Sequence, residues 1–285
     1  MIKIWILAIR PRTLIASASP VLIGTAIGWH EGSFSLPIFL FTLLTALGIQ
    51  ISTNLVNDYF DYAKGADSKT RVGEIRVMQA GLVSKRVMQR AIFSSFTITA
   101  FLGSYLIWQG GVIIAALVAI SLLLALVYTA GPFPLAYLGA AELFIFPFFG
   151  PIAVAGTAFL QTGQLHFFYL VAGIAPGLLS CALVIINNLR DREEDQKVGK
   201  KTLAVRLGPI FGMWEFAIAV LVATLVPLFC MPFAPRIWWA SVTLVLAVRL
   251  IYKLIKTERT RLDQLMPQVA LLLFLYTLLF CIGVM

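Results

Sequence analysis

Residues 38–67 read IFLFTLLTALGIQISTNLVNDYFDYAKGAD, an apolar segment that runs directly into an aspartate-rich end. The apolar part is long enough to cross a bilayer, because a transmembrane helix needs about 20 mostly apolar residues. Asp58, Asp61 and Asp67 then follow within ten positions. The stretch therefore predicts a membrane helix that carries concentrated negative charge at one end.

The composition of the whole chain extends this interpretation. Of the 285 residues, 60% are hydrophobic and 12% are charged, which is about half the charged share of a soluble domain. The apolar runs are continuous and do not alternate with polar residues, so a membrane β-barrel is excluded. The sequence predicts an all-α polytopic membrane protein with a single domain over residues 1–285.

Hydropathy predicts nine transmembrane helices in a bundle around a central cavity that opens toward the cytoplasmic side. Their approximate ranges are 13–30, 36–57, 88–108, 111–129, 138–160, 166–188, 209–230, 236–254 and 265–284. Three cysteines lie singly inside apolar runs, which argues against a disulfide framework. The two histidines are far from the acidic clusters, so zinc and haem are not indicated.

Basic residues set the predicted orientation. All of the 22 Lys and Arg residues except Arg236 fall in the N-terminus, in the connections 58–90 and 189–208, or around the end of the eighth helix. The positive-inside rule places these segments in the cytoplasm and the C-terminus on the opposite side of the inner membrane. This topology, with contact to anionic membrane lipids, explains the net charge of +9 without a nucleic-acid partner.

A second acidic stretch, INNLRDREEDQKVGKKTLAVRLG from Ile186, repeats the spacing of the first. Asn57 precedes Asp61 by four positions, and Asn187, Asp191 and Asp195 follow one another at the same interval. Residues four apart lie on one face of a helix. Both clusters are expected at cytoplasmic helix ends, the first after helix two and the second after helix six.

Two acidic clusters at one membrane depth need positive charge, because neighbouring carboxylates raise one another's pKa. Mg²⁺ prefers carboxylate oxygens and keeps phosphate or water in its coordination shell. A diphosphate held between two magnesium-bearing clusters, with Lys and Arg on its other oxygens, would balance the charges. The simpler alternative is that these polar residues only end helices at the membrane interface.

Four stretches together resemble the UbiA-type intramembrane prenyltransferases, which carry an Asn and two Asp residues in each of two cytoplasmic loops. They are NDYFDYAKGAD at 57–67, RVGEIRVMQAG at 71–81, YTAGPFPLAYLGAAELFIFPFFGPIAVAGT at 128–157 and NNLRDREEDQKVGKKTLAVRLG at 187–208. Within the family, the likeness is greatest to the branch that prenylates 1,4-dihydroxy-2-naphthoate in menaquinone biosynthesis. Many members have their first-loop aspartates four apart, whereas Asp61 and Asp67 are six apart, so the helix must break near Gly65.

The resemblance implies transfer of a polyprenyl group from polyprenyl diphosphate to 1,4-dihydroxy-2-naphthoate, with loss of CO₂ and diphosphate, giving demethylmenaquinol. It implies two Mg²⁺ ions, one held by Asn57, Asp61 and Asp67 with Asp58 as a helper, and one by Asn187, Asp191 and Asp195. The residues expected to contact the diphosphate or the acceptor carboxylate are Lys64, Arg71, Arg76, Gln79, Lys200 and Lys201, with Arg71 and Arg76 ranked first.

The third stretch adds Tyr128 and Glu142 as candidate catalytic residues. A carboxylate at the start of a membrane span suggests a function by default. Glu142 could orient an acceptor hydroxyl, or it could pair with an arginine inside the bundle. The phenylalanines of this stretch are expected to pack helices or to line the prenyl tunnel; they are Phe144, Phe146, Phe148 and Phe149.

Other functions stay open at the level of sequence. A sister prenyltransferase could act on 1,4-dihydroxy-6-naphthoate or 4-hydroxybenzoate. The stretches 71–81 and 128–157 argue against most sister reactions. They argue least against 1,4-dihydroxy-6-naphthoate, because the sequence does not show where the acceptor carboxylate lies. A transporter of a phosphorylated solute would also have many membrane helices joined by basic loops. It would place charged or broken segments near the bilayer midplane, whereas the charges here lie at the cytoplasmic helix ends.

Overall fold

The computed structural model describes residues 2–65 and 75–285, which are helical and contain no strand. The α-helices are α1 (Ile2–Ile9), α2 (Pro11–His30), α3 (Leu36–Ala63), α4 (Lys85–Val127), α5 (Leu135–Leu138), α6 (Ala141–Phe148), α7 (Pro151–Thr162), α8 (Phe167–Lys197), α9 (Leu203–Leu207), α10 (Pro209–Cys230), α11 (Leu244–Lys256) and α12 (Met266–Val284). Two 3₁₀ segments, Pro235–Thr243 and Arg259–Leu265, precede α11 and α12.

Seven segments of the described chain are long and apolar enough to cross a membrane. They are Leu36–Ala63, Lys85–Val127, Ala141–Thr162, Phe167–Lys197, Pro209–Cys230, Pro235–Lys256 and Arg259–Val284. Helices α1 and α2 give an eighth span if they are taken together, although they are bent by 54°. The bend lies at Arg10, which precedes Pro11 and adopts a left-handed backbone with φ of 54°. Proline disfavours helical geometry in the residue before it.

Helix α4 folds back on itself. Its 43 residues would extend about 65 Å as one straight helix, about twice the hydrocarbon thickness of a bilayer. Gly111 interrupts it with φ of 65° and ψ of −151°. A Cβ placed on Gly103 would lie 3.0 Å from Val118 Cγ1, so the two halves pack side by side. The chain turns where the sequence predicted a break between 108 and 111, while the total of nine spans stays a prediction.

The predicted ends of two helices were too early. Helix α3 continues past residue 57 to Ala63, and α8 continues past residue 188 to Lys197. Hydropathy places a boundary where apolar residues end, but the Arg, Glu, Gln and Lys residues of the α8 extension are good helix formers. The described aspartates of the two motifs, Asp58, Asp61, Asp191 and Asp195, therefore lie on helical extensions beyond the apolar spans. As predicted, the first extension stops just before Gly65, which has φ of 71°.

Helix α8 forms the centre of the bundle and packs against α2, α7, α10 and α12. Its approach to the α6–α7 junction depends on glycine. A Cβ on Gly173 would lie 2.5 Å from Pro151 Cα, and one on Gly150 would lie 2.4 Å from the Gly173 carbonyl oxygen. Only residues without a side chain allow backbones to approach this closely. This packing places α6, which carries Glu142, alongside the polar extension of α8.

Candidate active site at the polar ends of helices α3 and α8

A cavity of about 280 Å³ lies within the bundle. Part of its wall is apolar and comes mainly from the region around α6, α7 and the second half of α4, including Phe144, Phe148 and Phe149. The predicted metal-binding residues Asn57 and Asn187 also line it. An apolar space thus meets the first residue of each acidic motif.

Helices α2 and α3 contribute a polar part of the cavity wall. Ser17 Oγ donates a hydrogen bond to Gln50 Oε1 at 3.2 Å, and Gln50 Nε2 donates to Asn54 Oδ1 at 3.2 Å. Asn54 Nδ2 in turn donates to Thr13 Oγ1 at 3.0 Å and to the Ile9 carbonyl oxygen at 2.7 Å. Sequence reasoning missed these residues because hydropathy averages over isolated polar positions. Polar side chains inside a span were the available signal.

Asp61 is buried, and Tyr137 and Arg76 approach it from two other segments. The Tyr137 hydroxyl donates to Asp61 Oδ1 at 3.1 Å, and Arg76 Nη2 lies 3.9 Å from Asp61 Oδ2. Asn57, one turn earlier on α3, accepts a hydrogen bond at Oδ1 from Thr129 Oγ1 at 2.8 Å. The end of α3 is therefore joined to the connection that follows α4.

Lys64 stands beside the same tyrosine. Its Nζ lies 4.5 Å from the centre of the Tyr137 ring and donates to the Thr129 carbonyl oxygen at 2.7 Å. Burial lowers the pKa of Lys64 and the nearby Lys200 lowers it further, while Asp61 acts in the opposite direction. Two ammonium groups this close to one another favour a bound anion.

Tyr137 also contacts the second acidic motif. Lys200 Nζ lies 5.3 Å from the Tyr137 ring centre and 3.4 Å from Asp195 Oδ1. The backbone N–H of Lys201 donates to the Tyr137 carbonyl oxygen at 2.9 Å. Tyr137 thus links Asp61 to Asp195 and brings the two motifs together, although it was not among the predicted site residues. The signal in the sequence was its place inside the quoted stretch 128–157.

Asp191 is held by the preceding residue of α8. Arg190 Nε and Nη2 donate to the two oxygens of Asp191 at 2.6 and 2.8 Å. Arg259 supports this end of α8, since it donates to the Arg190 carbonyl oxygen and also pairs with the carboxylates of Glu193 and Glu194. The acidic end of α8 is thereby neutralised and tied to the segment that precedes α12.

The structure also places three other predicted residues, Tyr128, Glu142 and Asp58. Tyr128 lines the cavity, and Glu142 accepts a hydrogen bond at Oε1 from Asn188 Nδ2 at 2.9 Å. Of the two roles considered for Glu142, the structure does not support pairing with an arginine, because the partner of its carboxylate is the Asn188 amide, beside Asn187. The Asp58 carboxylate accepts the backbone N–H groups of Val77 and Met78.

The last four predicted residues are Lys201, Gln79, Asp67 and Arg71. Lys201 contributes its backbone, while its side chain is exposed. Gln79 lies in the turn that follows Arg76, half-buried. Asp67 and Arg71 lie outside the described residues.

The donor set fits magnesium. Within residues 2–65 and 75–285, no three Asp, Glu, His or Cys side chains are grouped closely enough to hold a metal ion by themselves. Magnesium is commonly bound in proteins by one or two carboxylates together with substrate phosphates, and it retains water. The buried carboxylates of Asp61 and Asp195 and the nearby side-chain amides of Asn57 and Asn187 are the hard oxygen donors that it prefers.

Residues 17–279 match the UbiA prenyltransferase family. The chain belongs to this family. A Haemophilus influenzae protein named 1,4-dihydroxy-2-naphthoate octaprenyltransferase is 31% identical to this UbiA-family protein over 100% of this chain and 96% of the relative. An Escherichia coli protein of the same name is 35% identical over 72% of this chain and 69% of the relative.

Solved structures share the fold of this UbiA-family protein. One is described as a UbiA homolog from Archaeoglobus fulgidus bound to GPP and Mg²⁺. It matches with a TM-score of 0.66 at 15% identity, covering 97% of this chain and 99% of that chain. The all-α membrane architecture predicted from the sequence is therefore confirmed.

Proposed function

We propose that this UbiA-family protein transfers a polyprenyl group from polyprenyl diphosphate to 1,4-dihydroxy-2-naphthoate, with release of diphosphate and CO₂, to give demethylmenaquinol. The observation that carries the proposal is the junction at Tyr137, where Asp61 and the Lys200–Asp195 pair meet near an apolar cavity. Such a site suits a substrate with a hydrocarbon tail and a charged head. The names of the H. influenzae and E. coli relatives support the choice of acceptor.

Asn57, Asp61 and Asp67 would hold one magnesium ion, and Asn187, Asp191 and Asp195 a second. When bound, magnesium neutralises the diphosphate and makes it a better leaving group. The A. fulgidus homolog, described as bound to GPP and Mg²⁺, supports magnesium with a prenyl diphosphate as the ligands of such a site. Lys64, Lys200 and Arg76 are placed to take the remaining phosphate oxygens, because each lies within a few ångströms of Asp61, Asp195 or the Tyr137 ring between them.

The aromatic side chains of the cavity wall would stabilise the cation that forms when diphosphate leaves. Breaking the bond between the prenyl carbon and the diphosphate oxygen leaves an allylic cation, which aromatic faces stabilise and a water-poor pocket protects. Phe144, Phe148, Phe149 and Tyr128 supply these faces in the cavity. The naphthoate ring carbon then bonds to the prenyl carbon as the carboxylate leaves as CO₂. Glu142, whose Oε1 accepts a hydrogen bond from Asn188, would orient an acceptor hydroxyl.

The polar ends of α3 and α8 are proposed to face the cytoplasm, with the N-terminus on the same side and the C-terminus across the inner membrane. The basic residues near these ends support this orientation through the positive-inside rule. The diphosphate head would then bind at the aqueous face while the prenyl tail stays in the bilayer.

The proposal is tested with membranes that contain the protein, radiolabelled polyprenyl diphosphate, Mg²⁺ and one acceptor at a time. We expect label in a prenylated naphthalenediol when 1,4-dihydroxy-2-naphthoate is the acceptor. Label only with 1,4-dihydroxy-6-naphthoate or 4-hydroxybenzoate would assign the chain to a sister reaction. No label with any acceptor, in membranes where the protein is present and folded, would contradict a prenyltransferase and favour a transporter of a phosphorylated solute.

Changing Tyr137 to phenylalanine is expected to lower kcat/KM by about 10- to 100-fold, the range for loss of a hydrogen bond to a charged group. The ring and its contacts with Lys64 and Lys200 remain, so only the hydroxyl bond to Asp61 is lost. Tyr252→Phe is the matched control, because Tyr252 is 57% exposed and its ring contacts Lys256, which is not a site residue. Equal activity of the two variants would contradict the proposed role of Tyr137.

A further inference from the structure

Asp58 has partners that differ from those expected of a metal ligand. It is only 1% exposed. Its Oδ2 accepts the backbone N–H of Val77 at 3.1 Å, and its Oδ1 accepts the backbone N–H of Met78 at 3.4 Å. Two successive N–H groups directed at one carboxylate form an anion-binding arrangement of the backbone. Both oxygens of Asp58 thus accept backbone N–H groups, which no side-chain rotation can withdraw, whereas Asp61 and Asp191 accept from the side chains of Tyr137 and Arg190.

The geometry of α3 explains this difference between neighbouring residues. Successive side chains on a helix are about 100° apart, so Asp58 does not share the face of Asn57. Leu55, three positions before Asp58, lies on nearly the same side of α3 as Asp58. Leu55 belongs to a small buried cluster with Val77 and Met78. The side of α3 that carries Leu55 and Asp58 therefore faces the segment 75–83, whereas Asn57 faces the cavity.

The segment 75–83 is a compact turn whose apolar residues are buried. Val77 is 0% exposed and Met78 is 3% exposed, and both pack with Leu55 and Met88. Within the turn, the N–H of Leu82 donates to the Val77 carbonyl oxygen and that of Gly81 donates to the Met78 carbonyl oxygen. The turn leaves the N–H groups of Val77 and Met78 to Asp58. A buried N–H without an acceptor would cost free energy.

Arg76 immediately precedes the two anchored amides. Its Nη2 lies 3.9 Å from Asp61 Oδ2, and the side chains of Arg76 and Asp61 are 12% and 6% exposed. The Arg76 carbonyl oxygen also accepts the N–H of Ala80, which ties Arg76 into the turn. The position of the Arg76 guanidinium at the site therefore depends on where the turn is held.

We propose that Asp58 is a positioning residue that fixes the turn at 75–83 to helix α3 and thereby holds Arg76 at the diphosphate site, and that it is not a magnesium ligand. The role of Arg76 in this inference rests on the proposed function. The anchoring of the turn rests only on the contacts of Asp58, Val77 and Met78. The structure thus assigns the two acidic neighbours on α3 separate tasks, Asp61 to the substrate end and Asp58 to the loop.

Amide hydrogen exchange of the full-length protein, without metal or substrate, tests the anchor. Asp58→Ala should speed exchange at the amides of Val77 and Met78 by at least about tenfold, because they lose a charged acceptor. Glu258→Ala, at a carboxylate that is 77% exposed, should leave exchange there unchanged. Asp58→Asn retains one carbonyl oxygen and should speed exchange at one of the two amides, which keeps the test available if the alanine variant does not accumulate. Wild-type exchange in either Asp58 variant would overturn the proposal.

Kinetics separate a positioning role from a metal-binding role. Asp58→Ala should raise KM for polyprenyl diphosphate by about tenfold, with the Mg²⁺ concentration for half-activation unchanged. The double variant Asp58→Ala with Arg76→Ala should be no worse than Arg76→Ala alone, since both act through one contact. A raised Mg²⁺ requirement with unchanged amide exchange would make Asp58 a metal ligand and overturn the inference. Wild-type protein that prenylates no acceptor would overturn the proposed function, while the exchange comparison would still decide the anchor.

Discussion

Changing either Asp61 or Asp191 to alanine is expected to lower turnover by about 10³-fold or more, above the 10- to 100-fold typical of residues that only support a metal ligand. Each variant removes the central carboxylate of one acidic motif. A single motif would leave half of the diphosphate charge uncompensated in a partly buried site, where electrostatic interactions are stronger than in water.

Label transfer from polyprenyl diphosphate measures this effect, with the amount of inserted protein determined in the same membranes. Glu258→Ala is the matched control, because it also removes one carboxylate but at a position that is 77% exposed. This control should retain the activity of the unchanged protein. Substantial turnover by Asp61→Ala or Asp191→Ala would show that the site does not need both motifs.

Removing divalent cations with EDTA is expected to reduce turnover to background, and added Mg²⁺ should restore it. The described residues offer scattered carboxylate and amide oxygens rather than a closed cage, so binding should be reversible and should involve the substrate's own phosphates. Calcium should restore little activity, because it prefers more ligands at longer distances than magnesium does.

Circular dichroism of the chelated protein provides the control for this experiment. The helical content should stay unchanged, because α3 and α8 are held by packing against other helices rather than by a metal. Turnover that persists in excess chelator would contradict the magnesium assignment. Loss of helical signal would instead indicate that the cation stabilises the fold.

The two acidic motifs show which features follow from local sequence and which depend on contacts between distant residues. The interval of four between Asn57 and Asp61 recurs at Asn187 and Asp191, and this spacing alone predicts that each pair shares one helix face. The structure places all four residues on helices, α3 and α8. The connection between the two motifs depends on tertiary structure, because it is made through Tyr137, which is 76 positions from Asp61.

The partners of individual carboxylates also do not follow from the sequence. Sequence reasoning treated Asp58 as part of the acidic cluster and offered Glu142 an arginine partner. The structure gives Asp58 two backbone N–H groups 19 and 20 positions away, and gives Glu142 the amide of Asn188, 46 positions away. A carboxylate's role depends on which groups surround it, and spacing along one helix does not specify them.

The sequence by itself determined that the chain is a helical membrane protein with acidic motifs at the ends of two spans. Apolar run length, charge asymmetry and i,i+4 spacing are local properties that need no knowledge of neighbouring helices. Only the tertiary structure decided that Tyr137 joins the motifs, that Gln50 and Asn54 form a polar wall, and that Asp58 anchors a turn. The Tyr137 contacts arise because the fold-back at Gly111 returns the chain toward the end of α3. The polar wall and the Asp58 contacts arise because α3 packs against α2 and against the turn at 75–83.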